Sequence, residues 1–229
     1  MHSVEVDGVM LVAHELKAPL ALMRQLAFAL PDMETEGEQL RTEMVKVSER
    51  AMRQINDFLK IRRLEDGLFE MEPVAVRAVC DDVIRELERL FIAEDKNLKV
   101  KYSNRAKLVN ANTELLFSVI YNFLVNAMCY SEKGTETTRW VHDKGGRVKI
   151  AVRDYGPALP VNIWREIKHG GISQPVNIAM RPGSSGLGLY IASKFSRYMG
   201  AKIGAVRHHD GASLFVELPI SRQASLFTI

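Results

Sequence analysis

The stretch Thr113-Glu-Leu-Leu-Phe-Ser-Val-Ile-Tyr-Asn122-Phe-Leu-Val-Asn126-Ala-Met-Cys-Tyr130 includes the longest apolar region of the chain. It predicts a helix with Thr113 as its N-cap. Asn122 and Asn126 stand four residues apart, so they share one face of that helix. Because amide oxygens are hard ligands, this pair suits Mg²⁺. The alternative is a helix that carries two polar residues on its solvent side.

Two further segments carry residue types that suit a nucleotide. Asp154-Tyr-Gly156-Pro-Ala158 follows a predicted strand, Val148–Val152. A carboxylate there can accept the exocyclic amine of a purine, and Gly156 lets the base approach; a simple turn is the alternative. Gly183-Ser-Ser-Gly186-Leu187-Gly188-Leu189 opens a predicted helix that ends near Met199. Glycines at a helix N-terminus offer backbone N–H groups to a phosphate.

The elements around these segments alternate between helix and strand. Val79–Ala93 predicts a helix and Leu98–Tyr102 a strand, while Lys202–Val206 and Ser213–Leu218 predict a closing hairpin. Residues 155–184, rich in Gly and Pro, predict a long irregular segment. This mixture predicts an α/β two-layer sandwich.

The first third of the chain carries two heptad seams, from Leu16 to Leu30 and from Leu40 to Phe58. An acidic loop, Glu34–Glu38, separates them, and the second run continues to about Leu64. Two such helices form an antiparallel hairpin that buries both seams only when two copies make a four-helix bundle. We therefore expect a homodimer. The predicted division is a helical domain at 1–68, a linker at 69–75 and a second domain at 76–229.

Composition excludes several classes of protein. The 229 residues are 47% hydrophobic with a formal charge of +3, which excludes a disordered chain and argues against nucleic acid as a partner. The two cysteines, Cys80 and Cys129, form no CxxC pair, which excludes a disulfide framework and a thiolate zinc site. No stretch predicts a membrane span or a signal peptide. We expect a cytoplasmic chain with no membrane contact of its own, or the cytosolic portion of a longer, membrane-anchored protein.

His14 is a candidate nucleophile. It lies beside the first seam, in His14-Glu15-Leu-Lys-Ala18-Pro19-Leu, where its ring should face solvent. One ring nitrogen can attack while the other is held protonated, and Glu15 can take a proton from the ring. The alternative is an ordinary surface histidine.

These segments, in this order, resemble the motifs of the two-component sensor histidine kinases over about residues 9–219. His14–Leu20 matches the family's H box and Asn122–Ser131 its N box. Asp154–Ala158 and Gly183–Leu189 match its two glycine boxes, and Gly211–Phe215 resembles its last motif. The resemblance implies a dimerisation and histidine-phosphotransfer domain followed by a catalytic, ATP-binding domain of the Bergerat fold.

The resemblance also implies a role for each matching residue. His14 would accept the phosphoryl group of ATP with Glu15 as general base, and the group would pass to an aspartate in the receiver domain of a response regulator. Asn126 would hold Mg²⁺, and Asn122 would support that site. An ATP lid would span about residues 159–183. The other expected ATP-binding residues are Tyr130, Asp154, Gly156, Gly183, Gly186, Leu187 and Gly188, with Lys168, His169 and Arg181 as candidate phosphate contacts in the lid.

Several positions depart from the family pattern. Cys129 stands where relatives have Lys or Arg, Ala158 replaces a glycine, and Ala18 replaces a Thr tied to dephosphorylation of the regulator. Ile163-Trp164 is the nearest candidate for the aromatic F box of the lid. Cys129 and Ala158 support an alternative, a pseudokinase scaffold that binds ATP weakly and acts through protein contacts. A hydrolysing ATPase is disfavoured, because such relatives carry a glutamate at the position of Asn122.

Overall fold

The computed structural model describes residues 21–25, 37–102, 108–131, 134–174 and 187–222. These residues form two compact units. The first holds the described residues up to Arg62 together with Leu187, and the second holds those between Arg63 and Gln174 and those from Gly188 onward. The domain boundaries at residues 68 and 76 remain predictions.

The first unit contains most of a long helix, α1, which spans Gly37–Glu65. Residues 21–25, inside the first predicted seam, are also helical. α1 starts before the predicted Leu40, so Gly37 and Glu38 belong to the helix and the prediction that placed them in the acidic loop was wrong. The helix ends before Gly67, whose φ of +68° favours glycine.

The apolar residues of α1 include both buried and exposed side chains. Ala51, on the predicted seam, is buried, and so is Ile61. Val45, Met52 and Leu59 stand seven residues apart and are 56%, 55% and 54% exposed. Residues at this spacing lie on one side of a helix, so they form an exposed apolar stripe.

The second unit has strands β1 (Glu72–Ala75), β2 (Asn97–Tyr102), β3 (Leu108–Ala111), β4 (Glu136–Lys144), β5 (Arg147–Arg153), β6 (Lys202–His208) and β7 (Gly211–Pro219). Five of them form a mixed sheet with the order β2-β4-β5-β7-β6. β2 runs parallel to β4, and the other neighbours are antiparallel. β1 and β3 form a separate antiparallel pair.

The helices of this unit are α2 (Val76–Ala93), α3 (Thr113–Tyr130), α4 (Val161–Lys168) and α5 (Leu187–Tyr198). α2 and α3 contact each other, α2 contacts β2, and α3 contacts β5. On β5, Val148, Ile150 and Val152 are buried at alternate positions, which is the pattern of a sheet with one face on a core. The predicted α/β two-layer sandwich is confirmed.

Of the helices in the described residues, none is both long and apolar enough to cross a bilayer.

Several elements differ from prediction. Asn112, not Thr113, is the N-cap of α3, since the Asn112 side chain accepts a hydrogen bond from the Leu115 N–H at 3.2 Å. The segment predicted to be irregular at 155–184 contains α4. β1, β3 and β4 were not predicted at all: β1 lies within the predicted linker at 69–75, and β4 lies between β2 and β5.

Candidate functional site

The start of α5 lies against the asparagine face of α3. Asn122 is half-buried, and its Nδ2 donates to the Ser118 carbonyl at 2.8 Å. A Cβ on Gly188 would lie 2.7 Å from Asn122 Oδ1. A glycine at 188 therefore lets the N-terminal turn of α5 reach the predicted site.

Asn126 presents an unpaired amide. Its Nδ2 is buried and has no hydrogen-bond partner among the described residues, a state that costs about 1–3 kcal/mol. The group fits a polar ligand, because its oxygen can coordinate Mg²⁺ and its nitrogen can donate to a phosphate oxygen. The described residues contain no cluster of three or more His, Cys, Asp or Glu that could hold a metal. A metal here would take this amide oxygen together with phosphate oxygens and water.

Asp154 follows β5 and is 7% exposed. Its Oδ1 accepts hydrogen bonds from the N–H of Gly156 at 3.2 Å and the N–H of Ala212 at 3.1 Å. Burial raises the pKa of this carboxyl, although those two hydrogen bonds and the charges of Arg153 and His208 oppose the shift. None of the described residues donates to Oδ2, so that oxygen can accept a hydrogen bond from a ligand amine.

Gly156 joins the end of β5 to the end of α3. A Cβ at this position would lie 2.1 Å from the backbone oxygen of Tyr130, so a side chain would force two backbones apart. Tyr130 is the last residue of α3 and is half-buried. Since Asn126 lies one helical turn before Tyr130, the structure brings Asp154 to the end of α3 that carries the asparagine pair.

Gly211 and Ala212 are site residues that the sequence analysis did not assign to the nucleotide. Gly211 has a φ of +132°, and a Cβ there would lie 2.3 Å from the backbone oxygen of Asp154. The Asp154 N–H also donates to the Ala212 carbonyl at 2.9 Å. The turn between β6 and β7 is thereby packed onto Asp154. The available signal was the match of Gly211–Phe215 to the last family motif.

The described part of the predicted lid is attached to the edge of the sheet. Trp164 Nε1 donates to the Ala205 carbonyl of β6 at 3.2 Å, and Ile163 is buried. The Lys168 ammonium lies 5.0 Å from the Trp164 ring centroid, and His169 Nδ1 lies 2.7 Å from the Arg165 carbonyl. These contacts lie within α4 and at β6, so the described structure gives Lys168 and His169 no contact with the asparagine site.

His14, Glu15, Gly183 and Gly186 lie outside the described residues, as do Ala18 and Arg181. Leu187 is the first residue of α5 and is buried. The described part of the predicted site consists of Asn122, Asn126, Tyr130, Asp154, Gly156, Leu187 and Gly188.

Residues 111–222 match a family model described as the histidine kinase-, DNA gyrase B- and HSP90-like ATPase. The range runs from the end of β3 to beyond β7 and contains every described site residue. This part of the chain is similar to that family. The roles predicted for Asp154, Asn122 and Asn126 in binding a nucleotide remain predictions.

Relatives extend the likeness to most of the chain. The alginate biosynthesis sensor protein KinB of Pseudomonas aeruginosa is 28% identical over 95% of this chain, which covers 37% of KinB. The chain spans about half the length of two others, the sensor protein CutS of Streptomyces coelicolor and the sensor-like histidine kinase SenX3 of Mycolicibacterium smegmatis, each 27% identical over 91% and 83% of this chain, respectively. The resemblance to two-component sensor histidine kinases is confirmed.

Two solved structures share the fold. The catalytic domain of the histidine kinase ThkA matches with a TM-score of 0.58 and 20% identity, over 66% of this chain and 95% of that domain. ThkA in complex with the response regulator protein TrrA matches with a TM-score of 0.63 and 15% identity, over 93% of this chain and 60% of that one.

Proposed function

We propose that this chain transfers the γ-phosphoryl group of ATP to His14 and then to an aspartate in the receiver domain of a response regulator. The observation that carries the proposal is that Asp154 lies at the end of α3, where the buried Nδ2 of Asn126 has no hydrogen-bond partner among the described residues. The Asp154 carboxylate can accept a hydrogen bond from the base of a nucleotide, and the Asn126 amide can meet the phosphates of the same nucleotide. Gly183, Gly186 and Gly188 would offer backbone N–H groups to the phosphates.

Each described residue has a specific task in this proposal. Asp154 Oδ2 accepts a hydrogen bond from the exocyclic amine of adenine, while Gly156 leaves room for the base. Asn126 is the protein ligand for Mg²⁺, and Asn122 supports that site from one turn earlier on α3. The metal, when bound, neutralises charge on the phosphate oxygens.

The transfer step forms a bond between phosphorus and a ring nitrogen of His14 and breaks the bond from phosphorus to the oxygen of the ADP leaving group. Glu15 takes the proton from the attacking imidazole. Positioning and charge neutralisation supply most of the acceleration. Asn122 is an amide and cannot act as a general base toward water, which favours transfer over hydrolysis.

The exposed apolar stripe of α1 supports a homodimer. Val45, Met52 and Leu59 repeat every seven residues, and a second copy that formed a four-helix bundle would remove such side chains from water. A response regulator is proposed as the protein that receives the phosphoryl group, because ThkA, whose fold this chain shares, was solved in complex with one. Since ATP is the phosphoryl donor, the proposed reaction takes place in the cytoplasm.

The test is incubation of the full chain with γ-labelled ATP, followed by assay for label that is labile in acid and stable in base. We expect such label in the wild-type chain and none in His14→Ala, which should still bind ATP. Acid-stable label, or wild-type labelling of His14→Ala, would refute the assignment. ATP binding without any label would favour the pseudokinase scaffold that Cys129 and Ala158 suggest.

A further inference from the structure

Arg153 is a buried cation on the opposite side of β5 from the nucleotide site. Alternate residues of a strand face opposite sides of its sheet, and Val152 and Asp154 flank Arg153 in sequence. The Arg153 side chain is only 8% exposed. Its guanidinium therefore does not share the face on which Asp154 would meet a base.

The buried guanidinium has a specific partner in the turn between β6 and β7. Arg153 Nη2 donates to Asp210 Oδ1 at 2.6 Å, and the guanidinium carbon lies 4.6 Å from the centroid of the Tyr155 ring. Arg153 Nη1 is buried and has no hydrogen-bond partner among the described residues. The ion pair with Asp210 is thus the main compensation for burying this charge.

The same turn holds the Asp154 carboxylate. Gly211, the residue after Asp210, packs on the backbone oxygen of Asp154, and the next residue, Ala212, donates its N–H to Asp154 Oδ1. The interaction that fixes Asp210 against β5 therefore also fixes the Ala212 N–H, which donates to Asp154.

We propose that Arg153 and Asp210 form a clamp that fixes this turn and so positions Asp154 to recognise the exocyclic amine of adenine. Arg153 is a positioning residue, since it acts through the turn and not on the nucleotide. The inference rests on the proposed function, because it assumes that Asp154 is the adenine acceptor.

Among the described residues, the charges of Arg153 on β5 and His208 on β6 oppose the raised pKa of Asp154, and Asp210 is paired to Arg153. Loss of the Arg153 charge removes one of the influences that oppose the raised pKa of Asp154. The midpoint pH of ATP binding should therefore move upward in Arg153→Gln and should not move upward in Asp210→Asn, which keeps the cation.

The binding experiment compares the full chain with Arg153→Gln and Asp210→Asn. The probes are ATP and inosine triphosphate, which has an oxygen in place of the exocyclic amine. We expect a roughly three- to tenfold loss of ATP affinity in each variant, little change for inosine triphosphate, and no further loss in the double variant, because one interaction is removed in all three. Lys149→Gln is the matched control, since Lys149 lies on β5 like Arg153 but pairs with Glu217 of β7 at 3.3 Å, away from the turn.

A second measurement tests the clamp without a nucleotide. Hydrogen exchange of the Ala212 amide should be faster in Arg153→Gln and Asp210→Asn than in the wild type and in Lys149→Gln. Asp210 is 58% exposed, so its variant should fold. A wild-type chain that failed to bind ATP would refute the proposed function alone, whereas unchanged Ala212 exchange would overturn the clamp. Unchanged discrimination between the two nucleotides in both variants would also overturn it.

Discussion

Replacing Asp154 by asparagine should separate nucleotide recognition from folding. The two side chains have nearly the same shape, so the Asn oxygen can still accept from the N–H groups of Gly156 and Ala212. These nitrogens lie 3.2 and 3.1 Å from Asp154 Oδ1 in the wild type. The second oxygen, which no described residue donates to, becomes an NH₂ group. A donor would then face the exocyclic amine of adenine, itself a donor.

The size of the effect follows from the bond that is lost. A hydrogen bond to a charged acceptor contributes about 1.5–3 kcal/mol, so ATP affinity should fall roughly ten- to a hundredfold. Inosine triphosphate, whose oxygen can accept from the new amide, should lose much less. Calorimetric titration of the full chain with a non-hydrolysable analogue of each nucleotide measures both affinities.

The pH dependence of stability gives a second, independent readout. Burial raises the pKa of Asp154 in the folded chain, so this group stabilises the fold at low pH and loses that contribution as pH rises through its folded pKa. Thermal unfolding without nucleotide should show that the advantage of the wild type over Asp154→Asn shrinks as pH rises above about 4. Wild-type ATP affinity in the variant, or an advantage that grows with pH, would refute the reasoning.

Three further substitutions test other parts of the site. Gly188→Ala should displace the Asn122 amide from the Ser118 carbonyl and weaken ATP binding about fivefold, with little change in melting temperature. Gly156→Ala should destabilise the fold by about 1–3 kcal/mol or more, measured by urea unfolding, because its Cβ meets backbone that cannot move freely. Asn126→Ala should abolish Mg²⁺-dependent ATP binding in calorimetry and leave the nucleotide-free chain at least as stable, because it removes an unpaired buried donor.

Gly37→Ala is a control for both glycine variants, since a Cβ at Gly37 would meet nothing within 4 Å. It should keep full ATP affinity and gain slightly in stability, because Ala favours a helix over Gly. A stable Gly156→Ala variant would mean that the ends of β5 and α3 do not approach as described. Undiminished Mg²⁺-dependent binding in Asn126→Ala would move the metal site elsewhere.

The local sequence was enough to predict the elements whose signal is periodic. The helix over Thr113–Tyr130 and the hairpin that turns before Gly211 follow from apolar spacing and turn chemistry. β4 was not predicted because its sequence is mostly polar. Arg139 on this strand is fully buried, but its burial depends on the elements that pack around it and not on the local sequence. α4 escaped because glycines and prolines surround a single short amphipathic run.

The sequence by itself determined that Asn122 and Asn126 share one face of a helix. A helix has 3.6 residues per turn, so residues four apart lie on the same side whatever surrounds the helix. Only the tertiary structure decided what surrounds them. The strand order puts β5 beside β7, and this places Asp210, 57 positions away, against Arg153 and its turn against Asp154. Such contacts depend on the pairing of distant strands, and no local pattern of residues encodes that pairing.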